Sequence, residues 1–276
     1  MDTIIGLGRA GCAIADKFAE YSQYSVYKLD VGLKKGPSTF PLKEYKNIEN
    51  YEKNLPNLKQ FFKDVGGDIL FVVAGGGKVS SASLAVLEYL QNCKINLLYI
   101  KPDLSFLGKE QELIERTIFN VFQEYTRSGL FEKMFIISNE MIESIFNGFP
   151  IKNYYKKINE SVVSTLHMIN LFNHVDSISD TFSDPPAGAK ISTIGFVDLE
   201  KNDDHVFFSL DNVSDIVYYY AYNSKKLEED NTLFKNIKDS IKDKTKEGVR
   251  VTYGIFETDY EQDYIYCVNH SSVIQE

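Results

Sequence analysis

The sequence predicts an α/β chain: a Rossmann-like domain on a parallel sheet, then a long central helix, then a smaller α+β domain. Three observations carry this. A short apolar strand runs directly into Gly6-Leu7-Gly8-Arg9-Ala10-Gly11, apolar runs alternate with helical patterns as far as residue 137, and a helical stretch of about two dozen residues follows Pro150. Alternation of this kind means parallel strands joined by right-handed crossovers.

The strands of the first half are expected at 2–5, 25–29, 68–73, 96–100 and 134–137, with helices at 11–21, 51–63, 80–91 and 109–128. The third and fourth strands lack polar alternation, as strands covered on both faces do. In 80–91, Leu84, Leu87 and Leu90 recur at helical steps with Val86 between them. The central helix is expected over 151–175, with Tyr155, Ile158, Val162, Leu166, Ile169 and Phe172 as its apolar stripe. At 1.5 Å per residue it would span roughly 37 Å, the width of a domain. The segment 180–188, carrying Pro185-Pro186, stops it. Beyond it, apolar runs at 191–197, 216–222, 249–256 and 264–268 surround one helix at 232–245. The expected division is 1–150, 151–178 and 179–276.

Composition narrows the function. A chain of 276 residues with 43 % hydrophobic and 25 % charged residues is ordinary for a globular protein. The net charge of -9, with no basic tail, disfavours direct contact with nucleic acid or anionic membrane. Three scattered cysteines, Cys12, Cys93 and Cys267, argue against a disulfide framework and for a reducing compartment. No run approaches the roughly 20 apolar residues of a membrane span. The expected location is therefore cytoplasmic. The four histidines have no ligand spacing, so no metal site is expected.

Gly6, Gly8 and Gly11 open a helix N-terminus whose free N–H groups favour phosphate, and Asp30 ends the next strand. That pair is the fingerprint of a dinucleotide fold. A tight turn needing small residues for packing alone would read the same way, and Asp30 equally fits a solvated strand end. A second glycine loop, Gly75-Gly76-Gly77-Lys78-Val79-Ser80-Ser81, follows the third strand, where an oxidoreductase needs none. Glycines there permit positive φ and close approach of an anion. Lys78 could supply a compensating charge, and Ser80 and Ser81 read as helix caps whose hydroxyls also face phosphate.

The order of domains and several motifs resemble the tubulin and FtsZ superfamily over nearly the whole chain. Residues 5–13 are similar to the family's first glycine loop, with Cys12 where the family has Asn, and 68–81 to its strand and signature loop. Lys101-Pro102 with Phe106 and Gly108, and the turn Ser138-Asn139-Glu140, resemble further family stretches. Tyr155 and Asn159 align with the start of the central helix, where an aromatic residue and an Asn or Asp recognise guanine. Asp180 and Asp184, flanking Phe182, resemble the loop that completes the active site of the neighbouring subunit, although acidic turn residues before Pro-Pro are common for local reasons alone.

The resemblance implies GTP or GDP, with or without Mg2+, and self-association head to tail into protofilaments through an interface that does not close on itself. Adaptor partners are not legible. The departures matter too. The signature loop is two residues shorter, Leu107 and Gln111 stand where the family has ribose-contacting Glu and Arg, no γ-phosphate loop lies between Asp30 and Gly67, and Ile178 replaces an Asn. Hydrolysis, assigned to Asp180 and Asp184, is therefore expected to be weak or absent. The alternatives are a non-hydrolysing scaffold of the same fold and, from another class, an NAD-dependent oxidoreductase using Gly6–Gly11 and Asp30.

Overall fold

A computed structural model describes residues 1–186 and 188–276; Ala187, inside the expected 180–188 break, lies outside the described residues. The chain divides into two compact units, Met1–Val163 and Ser164–Glu276.

The first unit carries β1 (Thr3–Leu7), α1 (Gly8–Phe18), β2 (Ser25–Val31), β3 (Thr39–Leu42), α2 (Glu49–Lys53), β4 (Asp68–Ala74), α3 (Ser83–Leu87), β5 (Lys94–Lys101), α4 (Lys109–Arg127), β6 (Lys133–Ser138) and α5 (Asn139–Ile145). Its strands are parallel, in the order β3-β2-β1-β4-β5-β6. Every residue of β1 and the middle of β4 is buried, as a doubly covered sheet requires. α1 turns Cys12, Ile14, Ala15 and Phe18 inward.

Two helices are shorter than their patterns suggest, for local reasons. The expected helix at 51–63 ends at Lys53 because Pro56 lacks an N–H and pushes Leu55 out of helical geometry. Leu58 and Phe62 are still buried, so the apolar signal came from anchor residues of a loop. The stretch 80–91 breaks into a 3₁₀ turn (Val79–Ala82), α3 and another 3₁₀ turn (Glu88–Leu90). There the hydroxyls of Ser80, Ser81 and Ser83 donate to the carbonyls of Gly77, Lys78 and Ser80, each three residues back, which favours the tighter winding. The edge strand β3, which carries Pro41, and α5, capped by the Ser138 hydroxyl, have no counterpart in the sequence reading.

The central helix α6 (Tyr154–Phe172) is preceded by a 3₁₀ turn at Ile151–Asn153 and is about 28 Å long by its rise per residue, shorter than expected. Ile158, Val162, Leu166, Ile169 and Phe172 are buried as the stripe requires; Tyr155 is 68 % exposed and does not belong to it.

The second unit holds β7 (Ser179–Asp180), β8 (Ile191–Asp198), β9 (Asp203–Val206), β10 (Val213–Asn223), α7 (Ser224–Glu229), α8 (Leu233–Lys244), β11 (Arg250–Thr258) and β12 (Tyr264–Ser271). Its strand order is β8-β12-β10-β11-β7, with β9 on β8; β10 and β11 are parallel and the other pairs antiparallel. Tyrosines of β10 fill its core: Tyr218, Tyr220 and Tyr222 pack with Leu233 and Ile237 of α8. On the other side of the strand, Tyr219 meets Phe172, whose ring stacks on Phe256 at 4.5 Å. No described helix is long and apolar enough to cross a membrane.

Candidate functional site

In the first unit the two glycine loops open onto one cleft of about 490 Å³. Gly8 turns the chain from β1 into α1 at φ +71°, a conformation that L side chains rarely adopt. α1 then begins with no side-chain cap and no acid in its first turn, so its leading N–H groups stay available to an anion. Gly8, Arg9 and Ala10 form this wall of the cleft, and Gly77, Lys78 and Ser80 form the facing one. The walls are close: a Cβ on Gly8 would lie 3.7 Å from that of Val79. Asp30 and Glu44 bring carboxylates to the same cleft. Burial raises the Asp30 carboxyl above its usual range, while the Val31 N–H bond at 2.8 Å and the charge of Arg9 act the other way.

The other fingerprint glycines serve packing. A Cβ on Gly6 would meet the Gly11 carbonyl oxygen at 2.5 Å, and one on Gly11 the Val72 carbonyl oxygen at 2.4 Å. These glycines let α1 lie directly on β1 and β4. Cys12 is likewise internal; its thiol donates to the carbonyls of Gly6 (3.4 Å) and Leu29 (3.6 Å). Burial, reinforced by Asp30, pushes that thiol up to about 12. A thiol held protonated reacts slowly, and the thiol of Cys267, fully buried, is also raised well above its usual range by burial. In a thiol titration at pH 8 the folded chain should therefore expose only the half-buried Cys93, with all three reacting in denaturant; rapid native-state labelling of Cys12 would contradict this packing.

The second loop rests on a polar prop. Gly75 is required because a Cβ there would stand 2.2 Å from the Tyr99 hydroxyl and 2.8 Å from Glu115 Cγ. The Tyr99 hydroxyl donates to the buried Glu115 carboxylate at 3.0 Å, and the Lys101 ammonium lies 3.8 Å from the same oxygen and 3.8 Å from the centre of the Phe119 ring. Gly76, at φ +72°, faces Leu107, and the Gln111 amide donates to its carbonyl at 3.2 Å. The residues standing where the family has ribose contacts thus brace the loop here. Glu115 and Tyr99 were missed in the sequence; the available signal was an acid one turn before Phe119 on the inner face of α4. The Ser81 hydroxyl also donates to the Ile48 carbonyl at 3.0 Å, tying the loop to the chain before α2.

The remaining candidates lie elsewhere. Tyr155 sits edge-on to Tyr154 at 5.0 Å and is exposed; Asn159 is half-buried on α6, and no described residue bonds its amide. Neither lines the cleft. Asp180 and Asp184 belong to the second unit. Asp180 pairs with Gly254 of β11, and its carboxylate accepts from the Ser177 hydroxyl and from the Phe182 N–H at 3.3 Å. Arg250, paired with buried Asp215, donates to the Ser183 hydroxyl at 2.8 Å and the Asp184 carbonyl at 2.5 Å. Phe182 packs where Gly254 has no side chain. These bonds tie the loop to the second unit and leave both carboxylates at the surface. Among the described residues no group of three or more His, Cys, Asp or Glu is arranged to hold a metal.

No protein-family model and no curated protein matches the sequence. Solved structures do match the fold. TubZ from Bacillus thuringiensis serovar israelensis, in GDP-form protofilaments, superposes with a TM-score of 0.73 at 17 % identity, over 98 % of this chain and 87 % of that one. CetZ1 from Haloferax volcanii, a GDP-bound monomer, gives 0.69 at 17 % identity over 99 % and 94 %. An empty FtsZ dimer from M. jannaschii gives 0.68 at 12 % identity over 98 % and 87 %. The chain therefore has the tubulin/FtsZ fold that its motifs resemble.

Proposed function

We propose that the chain binds a guanine nucleotide and self-assembles head to tail into filaments, with hydrolysis weak or absent. The observation that carries this is the convergence of two glycine loops on one cleft, one wall an uncapped helix N-terminus and the other presenting Lys78. A single loop suffices for a pyrophosphate; two facing loops fit a longer phosphate chain. The cleft belongs to a nucleotide domain of residues 1–150, the segment 151–178 with α6 connects it onward, and residues 179–276 carry the loop offered to the next subunit. Solved relatives of the fold include GDP- and GTPγS-form TubZ protofilaments and TubZ filaments of two and four strands.

Surface chemistry supports an assembly role. In the first unit Phe106 (85 % exposed), next to the Leu107 that packs on Gly76, and Ile151 (94 %) present apolar side chains; in the second, Val175, Ile178 and Phe182 do so around Asp180. Exposed apolar side chains in both units suit a heterologous, open-ended contact between copies. Weak turnover is inferred from the lack of a γ-phosphate loop between Asp30 and Gly67 and from Ile178 standing where the family has Asn. Asp30 and Glu44 are the groups available to a phosphate-bound Mg2+.

Asp30 on the cleft is also what a ribose hydroxyl would need in the NAD reading. Fluorescent GDP and NADH titrated side by side separate the two. GDP should saturate and NADH should not, and Asp30→Asn should leave GDP affinity equal or tighter, since it removes a negative charge from a phosphate cleft. Saturable NADH binding lost in Asp30→Asn would reverse the assignment. The resemblance assigns base choice to Asn159, outside the lining of the phosphate cleft, whose amide offers a donor and an acceptor to guanine, with Tyr155 covering the ring. In calorimetric titrations GDP should bind about tenfold or more tightly than ADP, the scale of one or two such bonds, and Asn159→Ala should erase that difference. Equal affinity for both nucleotides in the parent chain would remove the base-recognition claim.

A further inference from the structure

A second cavity, of about 530 Å³, lies at the outer side of β2 and β3 and shares no lining residue with the glycine-loop cleft. Three half-buried rings from separate segments face it: Tyr27 of β2, Phe40 of β3 and Phe61 of the loop before β4. Phe61 meets Tyr27 edge-on at 5.6 Å and Phe40 at 5.3 Å, so the rings form one continuous aromatic wall. The rim is charged, with Lys35 on one side and Lys63 on the other. Lys63 has Asp64 at 3.8 Å, whereas Lys35 makes no ion pair among the described residues. In a chain of net charge -9, this corner carries an excess of positive charge.

Both walls are fixed by hydrogen bonds rather than by the ligand. On one side the Gly36 N–H donates to the Thr39 carbonyl at 3.0 Å, and the Thr39 hydroxyl to the Lys34 carbonyl at 2.8 Å. On the other, the Lys59 N–H donates to Asn57 Oδ1 at 2.9 Å, while Leu58 and Phe62 anchor that loop in the core and turn Phe61 outward. A pre-formed, ring-lined pocket of this volume with a few polar groups has the character of a small-molecule site.

We propose that this pocket binds a small molecule combining a planar aromatic ring with an anionic group, the ring packing on Phe61 and Phe40 and the anion held by Lys35. A cationic ligand would face two lysines against one already paired acid. An added β-strand would meet Pro41 in the edge strand.

Anilinonaphthalene sulfonate, a fluorescent planar anion, tests this on the full chain, with its sulfonate-free parent phenylnaphthylamine as control. The sulfonate should bind at one saturable site and resist displacement by saturating GDP. Lys35→Ala, at an exposed position that leaves folding intact, should weaken it about tenfold, the scale of one charge-assisted bond, without changing binding of the neutral control. Phe61→Leu, which keeps an apolar side chain, should weaken both probes. Absence of saturable binding, displacement by GDP, or indifference to both substitutions would overturn the proposal.

Discussion

Gly11→Ala is expected to destabilise the folded chain by about 3 kcal/mol, the upper end of what overpacking costs. The added Cβ would stand 2.4 Å from the carbonyl oxygen of Val72, and the next nearest atoms, Val72 C and Gly6 C, are backbone too, so no side chain can swing aside. The helix must lift off the sheet or the strand must bend. Gly8→Ala makes the informative contrast. Its Cβ would meet nothing nearer than 3.7 Å, so its cost is confined to the left-handed conformation at φ +71°, roughly 1–2 kcal/mol. Chemical denaturation of the two variants beside the parent checks this. Gly11→Ala as stable as the parent would mean that α1 does not lie against β4 as described.

Lys78→Ala is expected to weaken GDP binding by about 10- to 100-fold, the equivalent of one charge-assisted hydrogen bond to phosphate, and Lys78→Glu to weaken it further. Stability should move by no more than about 0.5 kcal/mol, because the side chain is exposed and surface changes away from caps and cores are small. Fluorescent-GDP titration paired with thermal melts separates the two effects. Unchanged affinity in both variants would remove Lys78 from the phosphate site and leave the loop's glycines as turn geometry only.

The parallel sheet of the first unit and its order of elements were legible because β1, β4, β5 and β6 are continuous apolar runs separated by patterned helices. The weak elements were not. β3 is an edge strand of four residues containing proline, so it shows neither buried-strand composition nor alternation. Apolar spacing at Leu58 and Phe62 imitates a helix that Pro56 forbids. At the site, the GxGxxG pattern marks a real strand-to-helix turn but mixes two causes. Gly8 shapes the cleft, while Gly6 answers to the Gly11 carbonyl and the Ala15 side chain in the same turn and helix, and Gly11 to the backbone of Val72, far away in sequence. Tyr155 shows the same difficulty: its position in the stripe predicted burial, yet it lies in the first turn of α6, where it stays exposed. The prop beneath the second loop was invisible because Tyr99 and Glu115 meet only through the packing of α4 on β5.

Head-to-tail assembly is tested most directly by a concentration series of the chain in GTP and GTPγS, followed by light scattering and phosphate release. The predicted result is scattering that rises above a threshold protein concentration in either nucleotide and is lost in Phe106→Ser, with little or no phosphate released, any residual release being lost in Asp180→Ala while GDP affinity stays intact. Scattering that never rises at any concentration, with phosphate release strictly proportional to protein, would contradict head-to-tail assembly.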